Sequence, residues 1–165
     1  MAATEDTTSI RTEFERLVAD DLRRVRRAAV ARYGFEVGTE AAADAQEWAW
    51  THRDKVFVAH NRGGLLYRVM QSKARRHRRW SSRRAPVELL PEAVVDDWKP
   101  ELVDLFHSLG RLSDEQRIAV VMVHAHGERY ADVAGLLGVT EAAVTNHVHR
   151  GLVRLRKMLE ANDER

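Results

Sequence analysis

Apolar residues recur at three- and four-residue steps along almost the whole chain, and nowhere do they alternate over a sustained stretch. That period belongs to amphipathic helices, whereas a half-buried strand needs a period of two. The sequence therefore reads as all-α. In the first segment, from about Ser9 to Tyr33, the stripe is Ile10, Phe14, Leu17, Val18, Leu22, Val25 and Ala29, with seven arginines on other faces or at its edges. Gly34 and Gly38 are expected to bracket a break. A second, alanine-rich helix is expected from Glu40 to His52, ending with Trp48 and Trp50. After a connection through Asn61, Arg62, Gly63 and Gly64, a third runs from Leu65 to about Trp80, with Leu66, Val69 and Met70 as core candidates.

Charge divides the chain further. The formal net charge is only +2, yet Lys55 to Val87 holds ten Lys/Arg and no Asp or Glu. From Glu88 to Glu101 the sign reverses, with Glu88, Glu92, Asp96, Asp97 and Glu101 opposed by Lys99 alone. Like charges in a block repel one another, so such a block implies a polyanionic partner more readily than a solvated helix face. The apolar period of the third helix also vanishes at Lys73-Ala-Arg-Arg-His-Arg-Arg79, as in an element that projects at a partner. All three prolines, Pro86, Pro91 and Pro100, fall in or beside the acidic stretch. Proline and charge together read as a linker. The expected organisation is a helical domain over 1–84, a linker over 85–100 and a second helical domain over 101–165.

Past Pro100 the local signals sharpen. Leu102, Leu105, Phe106 and Leu109 make a short amphipathic helix stopped near Gly110. Ser113-Asp-Glu-Gln116 has the form of a capping box, in which Ser113 accepts from the Gln116 amide and the Gln116 side chain reaches back. The helix it opens carries Ile118, Val121, Met122 and Ala125 and ends at Gly127. A shorter helix follows from Tyr130 to Leu137, with Val133, Ala134 and Leu137 inward. Gly138 is expected to supply a tight turn, Val139 to plug the core and Thr140 to cap the last helix. Val144, Val148, Leu152, Leu155 and Leu159 are its expected buried stripe. Two helices joined by a glycine turn, the second longer and polar outside, are a helix-turn-helix signature. The start of the second helix would enter the major groove. Away from its stripe lie Glu141, Ala142, Thr145, Asn146, His149 and Arg150. Asn and Arg can make bidentate contacts with adenine and guanine edges. Arg154, Arg156 and Lys157 are better placed for phosphates.

Glu128-Arg-Tyr-Ala-Asp-Val-Ala-Gly-Leu-Leu-Gly-Val-Thr140, with Ala143-Val-Thr-Asn-His-Val-His-Arg-Gly-Leu-Val-Arg-Leu-Arg156, closely resembles the C-terminal domain of extracytoplasmic-function sigma factors. The lead-in Leu109-Gly-Arg-Leu-Ser-Asp-Glu-Gln-Arg117 is similar too. Asn61-Arg-Gly-Gly-Leu-Leu-Tyr-Arg-Val-Met-Gln-Ser-Lys-Ala-Arg75 looks, more loosely, like the first conserved domain of that family. The resemblance implies a transcription-initiation factor with core RNA polymerase and promoter DNA as partners, and it admits an anti-sigma factor. It implies polymerase docking through Glu40, Asp44, Glu47 and Trp50 of the second helix. It implies that melted downstream DNA meets Tyr67, Lys73, Arg75, Arg76, Arg78, Arg79 and Trp80. The upstream element would be read by Glu141, Ala142, Thr145, Asn146, His149, Arg150, Arg154 and Lys157. Thr145 and His147 stand where Lys and Arg are frequent in the family, which implies weaker phosphate affinity. The alternative within the resemblance is a sigma-like regulator that binds DNA without docking on polymerase. An interaction protein that engages mainly a regulator is the reading outside it.

Other chemistries lack their residues. Without cysteine there is no disulfide scaffold, no Cys-based zinc site and no thiol catalysis, in keeping with a reducing cytosol. His124 with His126 and His147 with His149 are spaced two apart, so on a helix neither pair can chelate. Trp48 and Trp50 are expected in the first core, with base stacking as the alternative, and Trp80 is the more functional tryptophan. No phosphate-cradling loop or catalytic Ser/His/Asp order is present. No enzyme activity, cofactor, metal or small-molecule substrate is expected. No apolar run approaches the roughly 20 residues of a membrane span, and Met1 to Ser9 is too polar and acidic for a signal peptide. The expectation is a soluble, cytoplasmic protein that does not engage membranes.

Overall fold

The structure is a computed structural model that describes the backbone of residues 2–80, 89 and 100–163, and side chains from Thr8 to Arg78, at Leu89, and from Pro100 to Asn162. Among the described residues every regular element is helical. In chain order they are α1 (Ala2–Tyr33), α2 (Phe35–Thr51), α3 (Arg53–Val58), α4 (Arg62–Trp80), α5 (Pro100–Gly110), α6 (Asp114–Val120), α7 (Tyr130–Leu137) and α8 (Glu141–Asp163). A π-helical turn, Val121–Ala125, extends α6.

Helices α1, α2 and α4 pack side by side. The break at Gly34 is real, since its φ of 88° lies in the left-handed region. Gly38 does not break anything. It lies inside α2, where a Cβ would come within 2.6 Å of the Ala29 carbonyl and the Val30 Cα of α1. The missing side chain lets the two backbones cross, so α2 starts five residues before the expected Glu40. Asn61 organises the entry to α4. Its side-chain oxygen accepts from the Gly64 amide at 2.8 Å, which starts the helix at Arg62 rather than Leu65. The short α3 has no counterpart in the sequence reading, because six residues are too few to reveal a period.

The stripe of α1 is narrower than expected. Phe14, Val18, Val25 and Ala29 are buried, while Ile10 and Leu17 are about half exposed. Trp48 and Trp50 pack against the core, as expected. That core continues across the chain into Ile118, Ala119, Met122, Val133, Ala134, Leu136, Val144 and Val148. A smaller cluster joins Leu89 to Leu109, Leu112, Val120 and Leu155. The expected linker otherwise lies outside the described residues, apart from Pro100.

Candidate nucleic-acid interface

The C-terminal helices follow their local signals closely. Ser113 caps α6 by accepting from the Gln116 amide. The reciprocal half of the capping box is absent: Gln116 Oε1 is buried with no hydrogen-bond partner among the described residues. The π-helical turn rotates Ala125, an expected core residue, to the surface. Helix α7 has the expected bounds, with Leu136 rather than Leu137 fully buried. Gly138 adopts φ 70° and ends α7 with its amide on the Ala134 carbonyl. Val139 does not plug the core but is 43% exposed, because the glycine turn swings it outward. Thr140 Oγ1 accepts from the Ala143 amide at 3.1 Å and caps α8.

The buried line of α8 runs through Val144, Val148, Gly151 and Leu155, and Leu152 is exposed. At about 100° per residue Gly151 falls within roughly 20° of Val144, whereas Leu152 lies roughly 80° from it. A Cβ at Gly151 would sit 2.7 Å from Val120 Cγ2, so α8 approaches α6 there without a side chain. Correcting the stripe sharpens the opposite face. Thr145, Asn146, His149, Arg150, Arg154 and Lys157 are all exposed, with Glu141 and Ala142 exposed at the helix start. His149, Arg150, Val153, Arg154 and Lys157 line a shallow groove along this surface. From Asn146 to Lys157 it extends about 16 Å at 1.5 Å per residue. No ion pair among the described residues engages Arg150, Arg154 or Lys157. Near the start of α7, Arg129 donates to both oxygens of Asp132 at 2.8 and 3.2 Å, and that hydrogen bonding holds the Asp132 carboxyl below its ordinary range.

The basic end of α4 is less free. Arg75, Arg76 and Arg78 are exposed and Lys73 is half-buried. Arg76 lies 3.8 Å from Asp44, and Arg78 stands over the Tyr33 ring. His77 sits between two carboxylates, its Nδ1 3.2 Å from Glu40 and its Nε2 3.0 Å from Asp44. The residues expected to dock on polymerase and those expected to meet melted DNA are therefore neighbours. A separation of 33 residues hid this in the sequence. Glu47 is exposed, and Trp50 packs edge-on to Phe14 with Arg11 and Arg53 over its ring. Tyr67, expected at the DNA, is instead a core residue, only 2% exposed. Its hydroxyl accepts from Arg32 at 3.4 Å, and burial raises its pKa. The Arg79 and Trp80 side chains lie outside the described residues.

Residues 102–155 match the family model "Sigma-70, region 4". That segment, about a third of the chain, is similar to region 4 of the sigma-70 factors. Three curated relatives are named RNA polymerase sigma-E factor. That of Streptomyces avermitilis is 36% identical over 90 residues, covering 51% of this chain and 50% of the relative. Those of Streptomyces antibioticus and Streptomyces coelicolor are 33% and 34% identical over 90 residues each. The chain thus spans about half the length of the curated relatives it matches. Among solved structures, the sigma factor RpoE of Bartonella quintana, in complex with the anti-sigma factor NepR, shares the fold with a TM-score of 0.64. At 20% identity the likeness covers 90% of this chain and 97% of that one. The matched segment runs from Leu102 in α5 to Leu155 in α8, so the exposed face of α8 as far as Leu155 lies within the part similar to region 4.

Among the described residues no group of three or more His, Asp or Glu side chains is placed to hold a metal ion. No described helix is long and apolar enough to cross a membrane.

Proposed function

We propose that the chain directs transcription initiation by binding core RNA polymerase and promoter DNA. The observation that carries this reading is the face of α8. On a region 4 helix-turn-helix it presents Asn146, His149 and Arg150 to solvent opposite a buried stripe, with Arg154 and Lys157 beyond them. Asn146 and Arg150 supply base-edge donors and acceptors, and the later cations hold phosphate. Residues 101–165 act in this reading as the upstream-element reader, residues 1–84 as the polymerase-docking and melting unit, and 85–100 as the connection between them. Glu40, Asp44, Glu47 and Trp50 form the docking surface. Lys73, Arg75, Arg76, Arg78, Arg79 and Trp80 meet the melted strand. Catalysis belongs to the polymerase, so the chain itself needs no cofactor. A cytoplasmic location follows from that role, and an anti-sigma factor is a fitting further partner.

Co-elution with core polymerase on size exclusion tests docking. Stable co-elution supports the proposal, and elution of the chain alone together with retained DNA binding favours the sigma-like regulator. The basic end of α4 gives a second expected result. Arg75→Ala, Arg76→Ala and Arg78→Ala combined should lower permanganate reactivity of the melted region by roughly tenfold or more, since each cation contributes to phosphate affinity. Binding of duplex upstream DNA should change little. Unaltered reactivity would remove this helix end from promoter melting.

A further inference from the structure

Val153 lies on the outer side of α8 and is 45% exposed. At about 100° per residue it falls roughly 180° from the buried Val144 and roughly 20° from Asn146, seven residues further along the helix. Its Cα–Cβ bond tilts towards the helix N-terminus, so the valine covers the turn that carries His149 and Arg150. With those two residues, Arg154 and Lys157 it lines one groove. Four of the five lining residues are His, Arg or Lys, yet the wall of the groove is mostly apolar. Long cationic side chains give this result when their stems lie along the surface and their charged ends reach outward.

The charges flank the valine on both sides. Arg150 and Arg154 lie roughly 60° and 100° from it in one direction, and His149 and Arg156 roughly 40° and 60° in the other. All four are exposed. A helix seated in the major groove has a phosphate backbone along each flank and base edges in front of it. Cations on both flanks meet the two walls, and the residue between them faces the floor. A valine there forms no hydrogen bond with a base edge or a phosphate. Among the groups that base pairs display in the major groove, the apolar one is the C5-methyl of thymine.

We propose that Val153 is a specificity-determining residue that reads one thymine of the upstream element by packing against its C5-methyl. This deepens the DNA-reading role of α8 given above and rests on it. Seven residues span about 10 Å of helix, and base pairs repeat at about 3.4 Å. The thymine therefore lies about two or three base pairs from the base that Asn146 contacts. Any other base at that place sets a polar edge against the isopropyl group, and a polar edge stripped of water without a partner is costly. Leu152, the neighbouring exposed aliphatic residue at 38%, points about 100° away and lies off this face.

Exchanging thymine for deoxyuridine removes the C5-methyl and nothing else, so it isolates the contact. A duplex is first selected by the chain from a random library, and each of its thymines is then replaced singly by deoxyuridine. Fluorescence anisotropy gives the affinities. One replacement, near the base pair whose preference Asn146→Ala flattens, should weaken binding by roughly fourfold, the worth of one methyl group removed from water. Val153→Ala should bind the thymine and deoxyuridine duplexes alike. It should keep its fold, since the valine is exposed and alanine is the better helix former, and circular dichroism checks this. Leu152→Ala also strips exposed aliphatic surface from α8 but should retain the full difference. With cytosine at the same position, 5-methylation should tighten binding of the native chain and leave Val153→Ala unaffected. A native chain indifferent to every deoxyuridine replacement overturns the proposal, as does a difference that persists undiminished in Val153→Ala. Failure of the native chain to select any duplex would instead overturn the DNA-reading role itself, an outcome distinct from selection without methyl dependence.

Discussion

Gly38→Ala should destabilise the protein markedly, while Gly135→Ala should stabilise it, although both exchange a helical glycine for the best helix former. In an exposed helix interior that exchange is worth up to about 1 kcal/mol in favour of alanine. At Gly135 nothing lies within 4 Å of the added Cβ, so the gain should be realised in full. At Gly38 the Cβ would come within 2.6 Å of three backbone atoms of α1. Backbone cannot rotate away as a side chain can, so α1 and α2 must separate. Overpacking costs of this kind run to about 3 kcal/mol, which exceeds the propensity gain severalfold. For a chain of this size the melting temperature should fall by roughly 5–10 °C for Gly38→Ala and rise by about 2–4 °C for Gly135→Ala. Thermal unfolding followed by circular dichroism measures both. Equal shifts would mean that the helices do not cross at Gly38.

The largest functional effect is expected on α8. Asn146 and Arg150 lie one turn apart on the face opposite Val144 and Val148, and both are exposed. A lost bidentate base contact removes about 1–3 kcal/mol of discrimination, or roughly 5- to 150-fold between the preferred base and its competitors. Asn146→Ala and Arg150→Ala should therefore each flatten the preference at one or two base pairs. Lys157→Ala should weaken binding alike on every sequence and reduce the slope of log affinity against log salt by about one. Fluorescence anisotropy over single-base promoter variants at two salt concentrations separates the outcomes. If all three variants lowered affinity uniformly, α8 would bind DNA without reading it.

Much of this architecture was legible because it rests on local rules. The period of three and four gave the helices, and the chemistry of Ser113, Gly138 and Thr140 placed their ends. The bounds of α7 and the exposed face of α8 followed from those ends. What escaped was set by contacts between elements. Gly38 reads as a breaker in sequence, and only the approach of α1 shows that it is a crossing point. Gly151 and Leu152 are adjacent, and a heptad-like count chose the larger apolar residue where the helical angle and the nearness of Val120 choose glycine. Tyr67 stood in a basic segment, so its neighbours suggested solvent, whereas Leu66 and Met70 beside it in the core were the better guide. Arg117 gave the least warning. An arginine in the first turns of a capped helix ordinarily faces water, and its partners at Ala31 and Arg32 lie 86 and 85 residues away.

The central claim is that this chain confers promoter-specific initiation on core RNA polymerase. Run-off transcription with purified core polymerase and a library of genomic fragments tests it most directly. The account predicts discrete transcripts from a small subset of fragments, present only when the chain is added and lost with the Arg75, Arg76 and Arg78 triple variant. Core polymerase that yields no chain-dependent transcript, from a chain that is folded and binds duplex DNA, would contradict it.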